Sequence, residues 1–495
     1  MKKFLFTMGC AALVLASCTD DALENGGSNP RPDTPEMDAN MVTLTALDPA
    51  SQAGRIHMVP QTRGVKSERL NFVASIDNPA VSGDDRNWSV TSLLIEGNAC
   101  FVTWHSDRQA EGSPAKVWGG AFDVLDLTDI GDKEVEIDVE HTYITEAVKF
   151  NHVLHSGEYF YLSGGHYDKG AVIARIESGN LAALSENTYA SCIGFPGTSV
   201  NAVAKDVNGL IAVSGFRGGY GHFDGTLETR FEYGGVDENN QDIKIEKDDY
   251  DFYNYDDESA NEWIENVYGY DKDFGGKYVA VDEGSSAYVL RSLGAGGLQI
   301  ISAKSGDVVV ESDATLLSKE KQAEEYDPET GGWEELSPAD HPEYLGKHVM
   351  VIKEGYAYVG AGLSGLRVYN LTSGREIIWA DQTDAPEGET NYGPNTTGLC
   401  IDGDFLYAAT DMGLRIYKFL EGGELELYAF EVESYGEDGK PTTNDAAKTD
   451  TKTRHSCNFV AVQTQGDAKY VYVAYGQSGI RVYKFEPNAE ASDGE

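Results

Sequence analysis

The chain has 495 residues and sets 82 acidic side chains against 38 basic ones, a formal net charge of -44. So acidic a surface repels phosphate backbones and argues against nucleic acid as a partner. With 55 glycines and 28 tyrosines but only 7 methionines, the composition favours strands and turns and predicts an all-β fold.

At the N-terminus, Lys2 and Lys3 precede an apolar run over 4–16 that ends in Leu15-Ala16-Ser17-Cys18. The run is too short to anchor a helix across a bilayer. This pattern resembles the bacterial lipoprotein signal, with an aliphatic and two small residues before a cysteine. The resemblance implies removal of 1–17, lipidation of Cys18 and attachment to a membrane through that lipid. The following Thr19-Asp20-Asp21 is similar to the export tag of Bacteroidetes surface lipoproteins, which implies the outer membrane and display on the cell surface. Residues 18–42 are rich in Gly, Asn, Pro and acids, with little to bury, and read as a flexible tether.

Past Cys10 and Cys18, four cysteines remain: Cys100, Cys192, Cys400 and Cys457. None sits at metal-ligand spacing. Cys100 and Cys400 fall inside apolar runs, so buried thiols are expected, with a disulfide as the alternative in an exported protein.

The body of the chain repeats itself. Gly365-Leu366-Arg367-Val368-Tyr369, Gly413-Leu414-Arg415-Ile416-Tyr417 and Gly479-Ile480-Arg481-Val482-Tyr483 share one wording. Looser copies begin at Gly120, Gly170, Gly221 and Gly297, giving a base period of about 50 residues made only of strands and turns, as in propeller blades. Each unit holds four short runs. Around Gly365 these are 349–352, the turn Lys353-Glu354-Gly355, then 356–360, 366–371 and 375–379. The expectation is a seven-bladed β-propeller of four-stranded antiparallel blades over 43–487, with insertions at 234–274, 313–342 and 431–453 and an acidic tail at 488–495. After Phe485 too little chain remains for a last outer strand. The spare run at 70–76 is predicted to supply it and close the ring. Because Arg367, Arg415 and Arg481 recur once per unit, they read as inter-blade framework.

The wording G-(L/I)-R-(V/I)-Y resembles the LVIVD repeat of bacterial surface and secreted propellers, most clearly over 343–487. The acid that usually follows is Asn370, Lys418 or Lys484 here. The resemblance implies fold and location rather than a reaction.

Function is expected at the channel mouth, where the innermost strands begin and packing does not dictate the side chains. Aligning the units places Thr91, Asn151, Asn201, Lys277, His348, Thr397 and Asn458 there, as ligand-binding candidates for a hydroxyl-rich or amide ligand. Tyr278 and Phe459 add stacking faces. His152, His348 and His455 lie near strand starts, but no metal motif accompanies them, and no metal or other cofactor is expected. Calcium at the acidic stretch 248–258 is a weak candidate, because the EF-hand glycine is missing. No GxSxG, Walker A or Rossmann fingerprint occurs, so no catalytic residue is assigned. The sequence reads as a lipid-anchored, monomeric surface propeller acting as a binding or scaffold module, with a glycan or protein as the expected partner. The alternative is a polysaccharide-active hydrolase or lyase, which needs acids gathered with His348 or Lys277 at the mouth.

Overall fold

The computed structural model describes residues between 42 and 488, with gaps of which the longest are 59–68, 108–118, 254–276, 312–325, 334–348, 380–395 and 443–457. The expected signal peptide 1–17, Cys18 and most of the tether lie outside the described residues, as do Cys457 and nearly all of the 488–495 tail.

The described residues are almost entirely antiparallel strands. Four sheets have four strands each, typified by Met350–Lys353, Tyr356–Gly360, Leu366–Asn370 and Glu376–Trp379, with neighbours in chain order. In this sheet Glu354 and Gly355 both take positive φ (51° and 82°), the two left-handed residues that a tight hairpin turn requires. The first strands of successive sheets neighbour one another in a closed cycle. Phe459–Gln465 lies beside Asn87–Glu96, followed by Val148–Ser156, Val200–Asp206, Tyr278–Val281, Met350–Lys353 and Thr396–Asp402, which returns to Phe459–Gln465. This is a β-propeller arrangement. Second and third strands such as Phe405–Thr410 and Gly120–Asp126 are buried along almost their whole length, because both faces of each sheet pack on a neighbour.

The sheet at the end of the chain has five strands, in the order Ile56–Met58, Leu70–Ile76, Ile480–Phe485, Ala468–Ala474 and Phe459–Gln465. Leu70–Ile76 pairs with Ile480–Phe485 from Leu70↔Phe485 to Ile76↔Ile480, as the sequence predicts.

The expectation of seven separate four-stranded blades needs correction. Among the described residues the blade-sized sheets number five, four of four strands and one of five, together with one nine-stranded sheet and three two-stranded ribbons. The cause is a strand the sequence reading missed. Val42–Ala46 pairs through Val42–Leu44 with Thr188–Ala190 and through Thr45 and Ala46 with Ile144 and Tyr143. It thereby stitches Asp138–Thr145 to Thr188–Phe195 and merges what would be two sheets.

From that strand the chain runs into a one-turn helix, Pro49–Gln52, capped by Asp48 Oδ1 on the Ala50 amide at 3.0 Å. It then passes through Arg55 to Ile56–Met58, which pairs with Ala74–Ile76 at the outer edge of the five-stranded sheet. One N-terminal strap therefore touches both the nine-stranded and the five-stranded sheet.

Candidate functional site

The channel-mouth residues fall at one recurring irregularity. Pairing between the first two strands steps from Val90↔Trp104 to Ser92↔Thr103, so Thr91 is an extra residue in the ladder, a β-bulge. Asn151, Asn201 and Thr397 occupy the same position in their sheets. Lys277 and Asn458 stand immediately before Tyr278–Val281 and Phe459–Gln465. His348 lies outside the described residues. A bulge bends its strand and re-aims the extra side chain, which explains why an alignment of the units collects polar residues at this point.

Three of these side chains reach across to the next inner strand. Asn458 Nδ2 donates to the Val90 carbonyl at 2.9 Å. The Thr91 hydroxyl lies 2.9 Å from the Phe150 carbonyl and 3.0 Å from that of Thr103, sharing its one proton. Asn151 Nδ2 donates to Ser199 Oγ at 2.6 Å and to the Val200 carbonyl at 3.3 Å. Each acceptor carbonyl on the next strand belongs to the residue just before the next bulge. The hydrogen bonds therefore relay from Phe459–Gln465 to Asn87–Glu96, Val148–Ser156 and Val200–Asp206. These donors serve the framework, a role that spacing in the sequence could not reveal. Thr397 is different: it is 5% exposed and, among the described residues, its Oγ1 has no hydrogen-bond partner.

One residue further along, the inner strands carry His152, Tyr278 and Phe459, which meet although they come from three different sheets. The His152 and Tyr278 rings lie edge to face, with centroids 5.7 Å apart at 88°, and His152 and Phe459 are 6.0 Å apart at 59°. The Tyr278 hydroxyl stands 3.4 Å from His152 Nε2. Burial, and secondarily the nearby Cys400 thiol, pushes the Tyr278 phenol well above its usual range, so it stays neutral and able to donate a hydrogen bond. Sequence reading offered Tyr278 and Phe459 as stacking faces and expected no metal at His152. The structure joins His152 to the two aromatic rings. His348 and His455 lie outside the described residues, and among the described residues no three His, Cys, Asp or Glu side chains gather in a way that could hold a metal.

Two of the three insertions attach at this same end. Residues 313–342 lie between Val308–Glu311 and Met350–Lys353, and 431–453 between Leu425–Phe430 and Phe459–Gln465. Both are fourth-strand to first-strand connections and so leave and rejoin where inner strands begin. The 234–274 insertion is split. Its first part precedes the fourth strand, Phe252–Tyr253, at the opposite end, and its remainder returns to Lys277 at the mouth. The calcium candidate 248–258 lies outside the described residues except for Phe252–Tyr253.

Glu431, at the root of the 431–453 insertion, is fixed firmly. Its Oε1 accepts from Arg481 Nη1 at 2.9 Å, its Oε2 accepts from the Tyr475 hydroxyl and from the Leu414 amide (3.3 Å), and its own amide donates to the Leu414 carbonyl at 2.8 Å. Arg481 also stacks over the Tyr475 ring at 4.5 Å. The recurring arginine thus bridges two neighbouring sheets, which matches the framework reading. Arg367 and Arg415 are buried, more deeply than Arg481. Cys100 and Cys192 are buried and Cys400 is half-buried, and among the described residues no disulfide joins these three.

Among the described residues no helix is long and apolar enough to cross a membrane. No family model and no curated protein matches the chain. Among solved structures, it is similar to the computationally designed protein Ika8, at 10% identity and a TM-score of 0.36, covering 82% of this chain and 98% of that one. It is also similar to the extracellular domain of a hybrid two-component system protein from B. thetaiotaomicron, at 11% identity and a TM-score of 0.38, over 86% of this chain but only 41% of that one.

Proposed function

We propose that this chain is a lipid-anchored surface propeller that binds a hydroxyl-bearing ligand, a glycan or a protein side-chain cluster, at the mouth of its axial channel. The observation that carries the reading is the meeting of His152, Tyr278 and Phe459 from three sheets, close along the chain to the polar bulge residues. Aromatic faces, with Asn201, Lys277 and Thr397 at the corresponding inner-strand positions, suit a ligand that stacks through C–H groups and hydrogen-bonds through its hydroxyls. The acidic connections 313–342 and 431–453 join fourth strands to first strands at that end.

The finer architecture belongs to this proposal. Dividing the nine-stranded sheet at Val42–Ala46 gives two four-stranded blades, which with the five separate sheets make seven. The closed cycle of first strands supports that count. The LVIVD-like wording of the third strands and the lipobox before Cys18 support placement on the outer membrane, facing outward.

The ligand reading is tested by thermal melts of the intact protein with soluble glycans, peptides and divalent metals, repeated with Phe459→Ala and His348→Ala. A rise in melting temperature that is lost in Phe459→Ala supports it, and a flat response to every class overturns it. Anchoring is tested by labelling cells with a radioactive fatty acid. Label on wild type and none on Cys18→Ala is the expected result, and unlabelled wild type overturns it.

A further inference from the structure

We infer that the N-terminal strap is a mechanical clasp, and that its bolt is the buried pair Arg55–Asp123. The inference rests on the reading that the protein is held by its N-terminus, since only then does the strap meet a load.

Any pull on the chain before Val42 arrives first at Val42–Ala46, which is wedged between Thr188–Ala190 and Tyr143–Ile144. Behind it stands Arg55, 3% exposed, whose guanidinium enters a socket in the neighbouring sheet. It donates to Asp123 Oδ2 at 2.6 Å and Oδ1 at 3.2 Å, to Thr142 Oγ1 and Gln52 Oε1 at 3.2 Å, and to the Asp77 carbonyl at 2.9 Å. The Trp104 ring lies 5.5 Å below it.

Asp123 cannot follow a departing arginine. It is fully buried in Gly120–Asp126 and is held by Trp104 Nε1 at 2.8 Å and by the Thr142 hydroxyl at 2.6 Å. Stripping the strap would leave its charge held against Trp104 and Thr142 without a countercharge, the costly way to break a buried ion pair. Secondary fastenings flank the bolt. The Gln52 amide donates to the Ala80 carbonyl at 2.7 Å and accepts from the Ala80 amide at 3.1 Å, and the Asp77 amide donates to the Arg55 carbonyl at 2.8 Å. Load entering at Val42 is therefore shared with the nine-stranded sheet before it reaches Leu70–Ile76, the strand that joins the last sheet.

The test is to pull a single molecule in optical tweezers through handles at its two ends, so that a handle stands in for the tether. Wild type is expected to unfold in its main step with no earlier release. Arg55→Ala, and Asp123→Asn, which keeps the shape of the socket, are expected to show a separate first step at lower force. Freeing residues 42–69 lengthens the chain by about 100 Å at full extension. The main step in the same trace shows that the variant propeller is folded. If wild type shows the same early step at the same force as the variants, the clasp is overturned. Absence of fatty-acid label on wild type would defeat anchoring and leave the pulling result unaffected.

Discussion

Asn458 Nδ2 and the Val90 carbonyl oxygen are joined at 2.9 Å across 368 positions of sequence, tying the last sheet to the first. Both residues are essentially buried. Asn458→Ala would leave the Val90 carbonyl without this donor, at a cost of about 1–3 kcal/mol. Urea titration should show that loss as a lower midpoint with unchanged slope.

The pairing of Leu70–Ile76 with Ile480–Phe485 is guarded by Gly479, whose φ is +76° and where an added Cβ would lie 2.2 Å from the backbone oxygen of Ile76. Gly479→Ala should loosen that strand, seen as faster amide exchange across 70–76. At Gly97, also left-handed but with open space around the added carbon, the alanine change should cost only about 1 kcal/mol and leave exchange at 70–76 untouched.

Two buried tyrosines give opposite expectations. Among the described residues the buried Tyr407 hydroxyl has no hydrogen-bond partner, so Tyr407→Phe should be neutral or stabilising, because it removes an unsatisfied polar group. Tyr475→Phe removes a donor from Glu431, which also faces Arg481, and should lower stability by about 1–3 kcal/mol. Chemical denaturation of the two variants side by side separates them.

Alkaline stability follows from the phenols. Tyr143 is pushed up to about 12 by burial and then by Glu140, and Tyr358 to about 12 by burial and then by Tyr356 and Glu354. Unfolded tyrosine titrates near 10, so the folded state holds these protons more tightly. Their contribution is complete below pH 10 and is lost as pH rises through about 12. Melting temperature should fall across that window together with the appearance of tyrosinate absorbance.

Burial also raises the thiol of Cys100, and that of Cys400 to about 12. Neither should be alkylated in the folded protein at neutral pH, while both should react after unfolding. Peptide mapping of the alkylated protein checks this.

How much of this was legible varies with how far a residue's role depends on its own neighbours in sequence. The glycine-led wording located the third strands Leu366–Asn370, Gly413–Phe419 and Ile480–Phe485, because each must turn a corner and then bury both faces. The partner of the last of these was readable as well, since only one spare strand was left. Val42–Ala46 does alternate apolar and polar residues, with Val42 and Leu44 fully buried. It is so short and so close to the polar tether, whose expected end falls at 42, that it was given no strand of its own. Arg55 gave no signal at all, because a lone arginine shows its value only beside Asp123 and Trp104, which lie in other strands. The bulge residues were correctly collected as one structural position. The direction in which Asn151 and Asn458 point is set by the next sheet, and nothing in their spacing encodes it.

The double pairing of Val42–Ala46 also bears on how the protein behaves outside the cell. A shortened chain that began at Leu70 would keep the strand paired with Ile480–Phe485, yet it would bare the edges at Tyr143–Ile144 and Thr188–Ala190 together with an uncompensated Asp123. Exposed edges recruit strands from other molecules. Such a truncation should therefore appear first as a solubility defect during purification.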